Sequence, residues 1–162
     1  MANYYAHTKS NWCRVTDEMK FKNLLNNVSV FSESGDNKLY HHSYQGSDDL
    51  YVHKLMCYGE LTGKYNEDID NFEDIEEKFY KPLQDLLPTN SDIFVSKYIG
   101  HEKLRSLDAG YVIVTKEDIK YGSIDRAIDS DVEELTGCSD IPVDFDATDF
   151  NVSIEVIDKG EY

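Results

Sequence analysis

The sequence predicts an α+β fold: a mainly antiparallel sheet with two or three helices packed on it, in a single compact domain. Three observations carry this. Short runs rich in Tyr, Val, Ile and Thr recur along the chain, as strands require. Apolar residues at helical spacing occur in only a few places, and they do not alternate with the strands as βαβ units would. The length of 162 residues, with 40% hydrophobic and 12% aromatic content, suits one domain with a sizeable core.

Residues 2–15 read as extended. Thr16 is positioned to cap a helix opening at Asp17 and Glu18, with Met19, Phe21, Leu24, Leu25 and Val28 near helical spacing and Asn26-Asn27 as its stop. VSVFS (28–32), the turn-like ESGDN and KLYHHSY (38–44) predict a hairpin, and LYVHKLMCY (50–58) a further strand after the breaker QGSDD. Asp70 or Asn71 would then cap a helix carrying Phe72, Ile75, Phe79, Leu83 and Leu86 on one stripe, with a kink or break at Pro82. DIFVSKYI (92–99) and AGYVIVT (109–115) read as two strands. Thr115 and Asp118 make an approximate capping box for a short helix, followed by helical pieces in SIDRAI and DSDVEEL, with breaks at Gly122 and Gly137. FNVSIEVID (150–158) alternates as a late strand.

The net charge of −16 is unevenly placed. Residues 1–64 hold seven acids and seven bases, and residues 78–126 hold seven acids and eight bases. The excess lies in residues 65–77, with seven acids and no base, and in residues 127–162, with eleven acids against Lys159 alone. Such a field disfavours direct binding of nucleic acid or anionic membranes and attracts cations and basic proteins. No apolar run approaches the roughly 20 residues that span a bilayer. The N-terminus lacks the pattern of a signal peptide, and the three scattered cysteines form no CxxC pair. A cytoplasmic location, without disulfides, is the expectation.

Candidate chemistry is sparse. In NEDIDNFEDIEE (66–77), Asn66, Asp68, Asp70 and Glu77 match positions 1, 3, 5 and 12 of a calcium loop. Asn71 stands where that loop needs glycine, and the stripe beginning at Phe72 demands a helix. An oxygen-rich VDFDATD (143–149) has no fixed ligand pattern. His53 and Cys57, with His7 and Cys13, have no spacing that compels a zinc site, and His41-His42 would point to opposite faces of a strand. No nucleophile elbow, P-loop or dinucleotide fingerprint is present. The expectation is a non-enzymatic protein without cofactor or bound metal.

What distinguishes the chain is its acidic surface. Glu67, Asp68, Asp70, Glu73, Asp74, Glu76 and Glu77 form one candidate partner-binding block, and Asp129, Asp131, Glu133 and Glu134 a second. Even solvation would not require such blocks, which repel internally. Rows of carboxylates on a rigid frame can enter a channel whose Lys and Arg bind phosphates, inheriting that attraction and its salt dependence.

Two stretches, NYYAHTKSNWCRVTD (3–17) and SKYIGHEKLRSLDAGYVIVT (96–115), resemble small acidic proteins carried by phages and mobile elements of Gram-positive bacteria. The resemblance implies a role in countering host defence, as antirestriction or anti-CRISPR proteins do, several of them by mimicking DNA charge. The expected partner is therefore a basic nucleic-acid-binding protein of the host, a Cas effector or a restriction enzyme. The alternative is an acidic protein-interaction or calcium-binding module without inhibitory activity.

Overall fold

Strand-forming runs organise most of the described chain into one sheet. The computed structural model describes residues 4–33, 35–102 and 106–137. The strands are β1 (Tyr4–Ser10), β2 (Cys13–Val15), β3 (Val28–Phe31), β4 (Leu39–Gln45), β5 (Tyr51–Cys57), β6 (Glu60–Gly63), β7 (Tyr65–Asn66), β8 (Asn71–Phe72), β9 (Phe94–Glu102), β10 (Ser106–Val114) and β11 (Ile119–Ser123). The helices are α1 (Glu18–Leu25), α2 (Lys81–Leu86, entered through a π-helical turn at Glu76–Tyr80) and α3 (Ile124–Thr136).

A seven-stranded sheet runs β11–β10–β9–β1–β5, with β4 on the far edge of β5 and β2 beside β5 in line with β1. Every pairing is antiparallel. This is the predicted fold class. The break between β1 and β2 is sewn to β9 by Asn11, whose side chain donates to Ile93 O (3.0 Å) and accepts from Val95 N (2.8 Å). Just beyond it, the Arg14 guanidinium forks onto both oxygens of Asp92, at 2.8 Å each.

One face of the sheet is covered. Cys13, Val15, Leu55, Phe94, Val112 and Val114 point from the strands toward Phe21 of α1 and toward Phe79, Tyr80, Leu83, Leu86 and Leu87 of the second helical segment. Phe79 is wholly buried among the rings of Phe21, Tyr80 and Phe94. Among the described residues no helix is long and apolar enough to cross a membrane.

Several local expectations change. The α1 cap is Asp17, which accepts from Lys20 N at 3.0 Å, whereas Thr16 N bonds to Leu86 O at 2.8 Å. Asp17→Ala is expected to cost about 1 kcal/mol, read from the urea midpoint. Residues 28–44 are not a hairpin: β3 pairs with β6, and β4 turns back on β5 through QGSDD. Thr115 closes a tight turn into β11, its hydroxyl accepting from the amides of Glu117 and Asp118, so no helix starts there. SIDRAI and DSDVEEL join as the one helix α3, capped by Ser123 and ended by Gly137 at φ 70°.

Pro82 falls where the helix changes character, the π-helical turn Glu76–Tyr80 giving way at Lys81 to α2. A proline lacks an N–H, and its ring collides with the carbonyl four residues earlier. Here the preceding turn is widened, with Lys81 N reaching Glu76 O, and the Lys78 carbonyl is taken by the Asn27 side-chain amide at 3.2 Å. The displaced backbone acceptor thus becomes a tie to the end of α1. The predicted strand at 150–158 and the VDFDATD cluster lie outside the described residues.

Candidate functional site

The acidic run Glu67–Glu77 is not one helical face. Glu67, Asp68 and Asp70 lie on the turn of a small hairpin in which Tyr65 pairs with Phe72 and Asn66 with Asn71. Asp70 sits in the left-handed region at φ 48° and accepts the Tyr65 hydroxyl. Phe72 is exposed and packs edge-on against Tyr65 and Phe31, so it leaves the stripe that was to begin with it. Gly63 explains how the hairpin docks: a Cβ there would lie 2.0 Å from the carbonyl oxygen of Glu73. Glu73 accepts from the Asn66 side chain at 3.4 Å.

Helical structure begins only at Ile75. Asp74 accepts from Glu76 N at 2.9 Å, an acid at the positive end of the helix. Glu76 accepts the Tyr121 hydroxyl at 2.5 Å, and Glu77 pairs with Lys81 one turn on. The positions matching calcium-loop ligands are therefore divided between a hairpin and a helix. No three His, Cys, Asp or Glu side chains converge as metal ligands among the described residues.

The second block, Asp129, Asp131, Glu133 and Glu134, lies exposed on α3. That helix rests on β10 and β11 and buries none of its own residues. The start of the helix at Ile75 borders a cleft of about 230 Å³, lined by Thr8, Glu60, Tyr80, Ser96, Tyr98 and Tyr121. Burial raises the Tyr98 phenol, helped by Asp108 and, more weakly, by Glu60 and Asp125. Tyr121 is raised by burial and then by the Glu76 hydrogen bond.

The opposite sheet face has a different character, which sequence reasoning missed. Its outward positions hold Tyr5, His7 and Lys9 on β1, with Val95, Lys97, Ile99 and His101 on β9. They continue with Leu107, Ala109, Tyr111 and Ile113 on β10, Lys120 on β11, Lys54 and Met56 on β5, and Tyr40, His42 and Tyr44 on β4. Among these described positions there is no Asp or Glu. Tyr5, Trp12, Tyr40, Tyr44, Tyr58 and Tyr111 are all exposed by 39% or more. Strand alternation was the available signal, but only register assembles it into a surface.

His53 and its neighbour His41 serve the core. His53 pairs in register with Cys13, and its Nδ1 lies 2.8 Å from His41 Nε2. Its ring stacks on Phe21 at 4.3 Å. Burial, and then the neighbouring His41, lower the His53 pKa to about 4, and burial pushes the Cys13 thiol up to about 12. At neutral pH the Cys13 thiol therefore stays protonated and is not a poised nucleophile. No protein-family model, no curated protein and no solved structure matches this chain.

Proposed function

We propose that the helix-bearing side is a partner-facing acidic surface, and that the protein is a non-enzymatic inhibitor encoded by a phage or mobile element. In this reading its carboxylates occupy the basic nucleic-acid channel of a host defence nuclease, a Cas effector or a restriction enzyme. The observation that supports it is segregation. Both acidic blocks lie off the described outward strand positions of the opposite face on β1, β4, β5, β9, β10 and β11, which hold no Asp or Glu. Charge serving only solubility has no reason to divide a molecule this way. The mobile-element setting rests on the resemblance of residues 3–17 and 96–115.

The structure refines which residues test the idea. Asp70, Asp74 and Glu76 also hold a turn, a helix start and Tyr121, so neutralising them mixes folding with binding. Glu67, Asp68, Asp129, Asp131, Glu133 and Glu134 are exposed on the hairpin turn and on α3. Converting these six to Asn or Gln is expected to raise the melting temperature, by relieving like-charge repulsion. The same change should weaken inhibition of DNA cleavage by a reconstituted Cas nuclease or a restriction nuclease at least about tenfold at physiological salt. Undiminished inhibition by the neutralised protein would exclude the charge-mimic mechanism, and no inhibition by the native protein of any nuclease tried would exclude the inhibitor reading.

A further inference from the structure

We infer that the exposed face of the seven-stranded sheet binds single-stranded nucleic acid, with phosphates on a lysine cluster at its centre and bases on the surrounding aromatic rings. The central row is read from register. Tyr111 lies opposite Lys97, Lys97 opposite Lys9, Lys9 opposite Met56, and Met56 opposite Tyr40. With adjacent strands about 4.8 Å apart, the row spans about 19 Å between its terminal tyrosines. Lysines in directly opposed positions repel, and such a pair costs a sheet stability. Lys54 adds to the cluster: desolvation, and next to it Lys9, lower its pKa. Among the described strand positions beside these lysines no carboxylate relieves them, and Asp48 and Asp92 are engaged by Arg14 on β2. An arrangement that is unfavourable alone becomes favourable when an anion bridges the ammonium groups.

The rings argue for a nucleic acid over another polyanion. Beside Lys9, a hollow of about 330 Å³ is lined by His7, Tyr40, His42, Met56 and Tyr58. Its size suits a nucleobase, its floor is a thioether, and Tyr58 packs edge-on against both His7 (5.3 Å) and Tyr40 (6.0 Å). Trp12 lies across from Tyr44 at 5.2 Å, with the Lys54 ammonium 5.3 Å over its ring. Aromatic faces interleaved with cations on an open surface are what unpaired bases stack on. An acidic peptide would use the lysines and leave the rings idle. A duplex presents no unstacked base to the hollow.

The net charge does not forbid this. Screening by salt reduces interactions between exposed charges more than about 8 Å apart at physiological ionic strength. The near field at this face is set by its own lysines.

Trp12 is the chain's one tryptophan, so it reports binding on this face directly. Labelled twelve-nucleotide oligo-dT and oligo-U are titrated into the full chain, with anisotropy and Trp12 emission followed at several salt concentrations. Saturable binding with a change in Trp12 emission is expected, and log K against log salt should fall with a slope of about −2, as for three phosphate contacts. K97Q should reduce that slope by about 0.7 while raising the melting temperature, a pairing that misfolding cannot give. Y40A should weaken binding about 5- to 150-fold. No binding at low salt overturns the inference, as does tighter binding of duplex. Equal affinity for poly-glutamate would make this an acidic-peptide face, and binding unaffected by K97Q and Y40A would place the strand elsewhere. The neutralised acidic variant, which should still bind the oligonucleotide, separates this outcome from that of the inhibitor reading.

Discussion

Phe79→Ala is expected to destabilise the protein by about 3–5 kcal/mol, a large part of the roughly 5–15 kcal/mol that holds a domain of ordinary stability. Phe79 has no exposed surface, and three other rings pack round it: Phe94 edge-on at 5.9 Å, Tyr80 at 5.5 Å and Phe21 at 6.4 Å. These rings join the second helical segment, α1 and the sheet, so the cavity would open where three elements meet and no one of them can collapse into it alone. Leu135→Ala is the contrast. That side chain is 85% exposed and its loss should change stability by no more than about 0.5 kcal/mol. Urea melts with unchanged m-values decide the matter. A cost below about 1 kcal/mol for Phe79→Ala would show that the helical segment does not pack on the sheet as described.

The second large effect is on pH dependence. His53 is almost wholly buried, hydrogen-bonded to His41 and stacked on Phe21, and its Nε2 has no partner among the described residues. Its pKa lies at about 4 in the folded chain against 6.5 for a free side chain. A base whose pKa is lowered by folding is held neutral, so the unfolded chain takes up the proton first. Stability from this group is fully present above about pH 6.5 and is lost as the pH falls toward 4. Between pH 7 and pH 5 the expected loss is about 2 kcal/mol. His53→Leu keeps the volume close to native and should flatten that slope, while His41, partly open to solvent, can find water. The difference between the two proteins across the window isolates His53 from the carboxylates, which respond alike in both. An unchanged slope in His53→Leu would assign the acid sensitivity elsewhere.

Much of the fold was legible because alternation and helical spacing are local. The strands at 50–58, 92–99 and 109–115 and the buried stripe Phe79, Leu83 and Leu86 each follow from residues within one element. Pairing is not local. ESGDN carries turn residues, and nothing in VSVFS or KLYHHSY shows that one pairs with β6 and the other with β5. Phe72 misled for a related reason. Its spacing from Ile75 fits a helix by coincidence, while the φ of 48° at Asp70 and the close approach at Gly63 turn the chain into a hairpin first. The acidic blocks were visible as composition, whereas the lysine row of the opposite face was not. Lys9, Lys54 and Lys97 lie far apart in sequence and become neighbours only through the registers of three strands.

The central place of β1 bears on how the chain is made. One edge of β1 is completed by β5 and the other by Ser96–Glu102 of β9, so β1 leaves the ribosome well before its second neighbour. At about 5–20 residues per second, it waits on the order of 5–20 s for its second neighbour. During that interval YYAHTKS is an unpaired, tyrosine-rich edge on the nascent chain. Its Lys9, set amid the rings, is the kind of charge that keeps such an edge from joining the wrong strand.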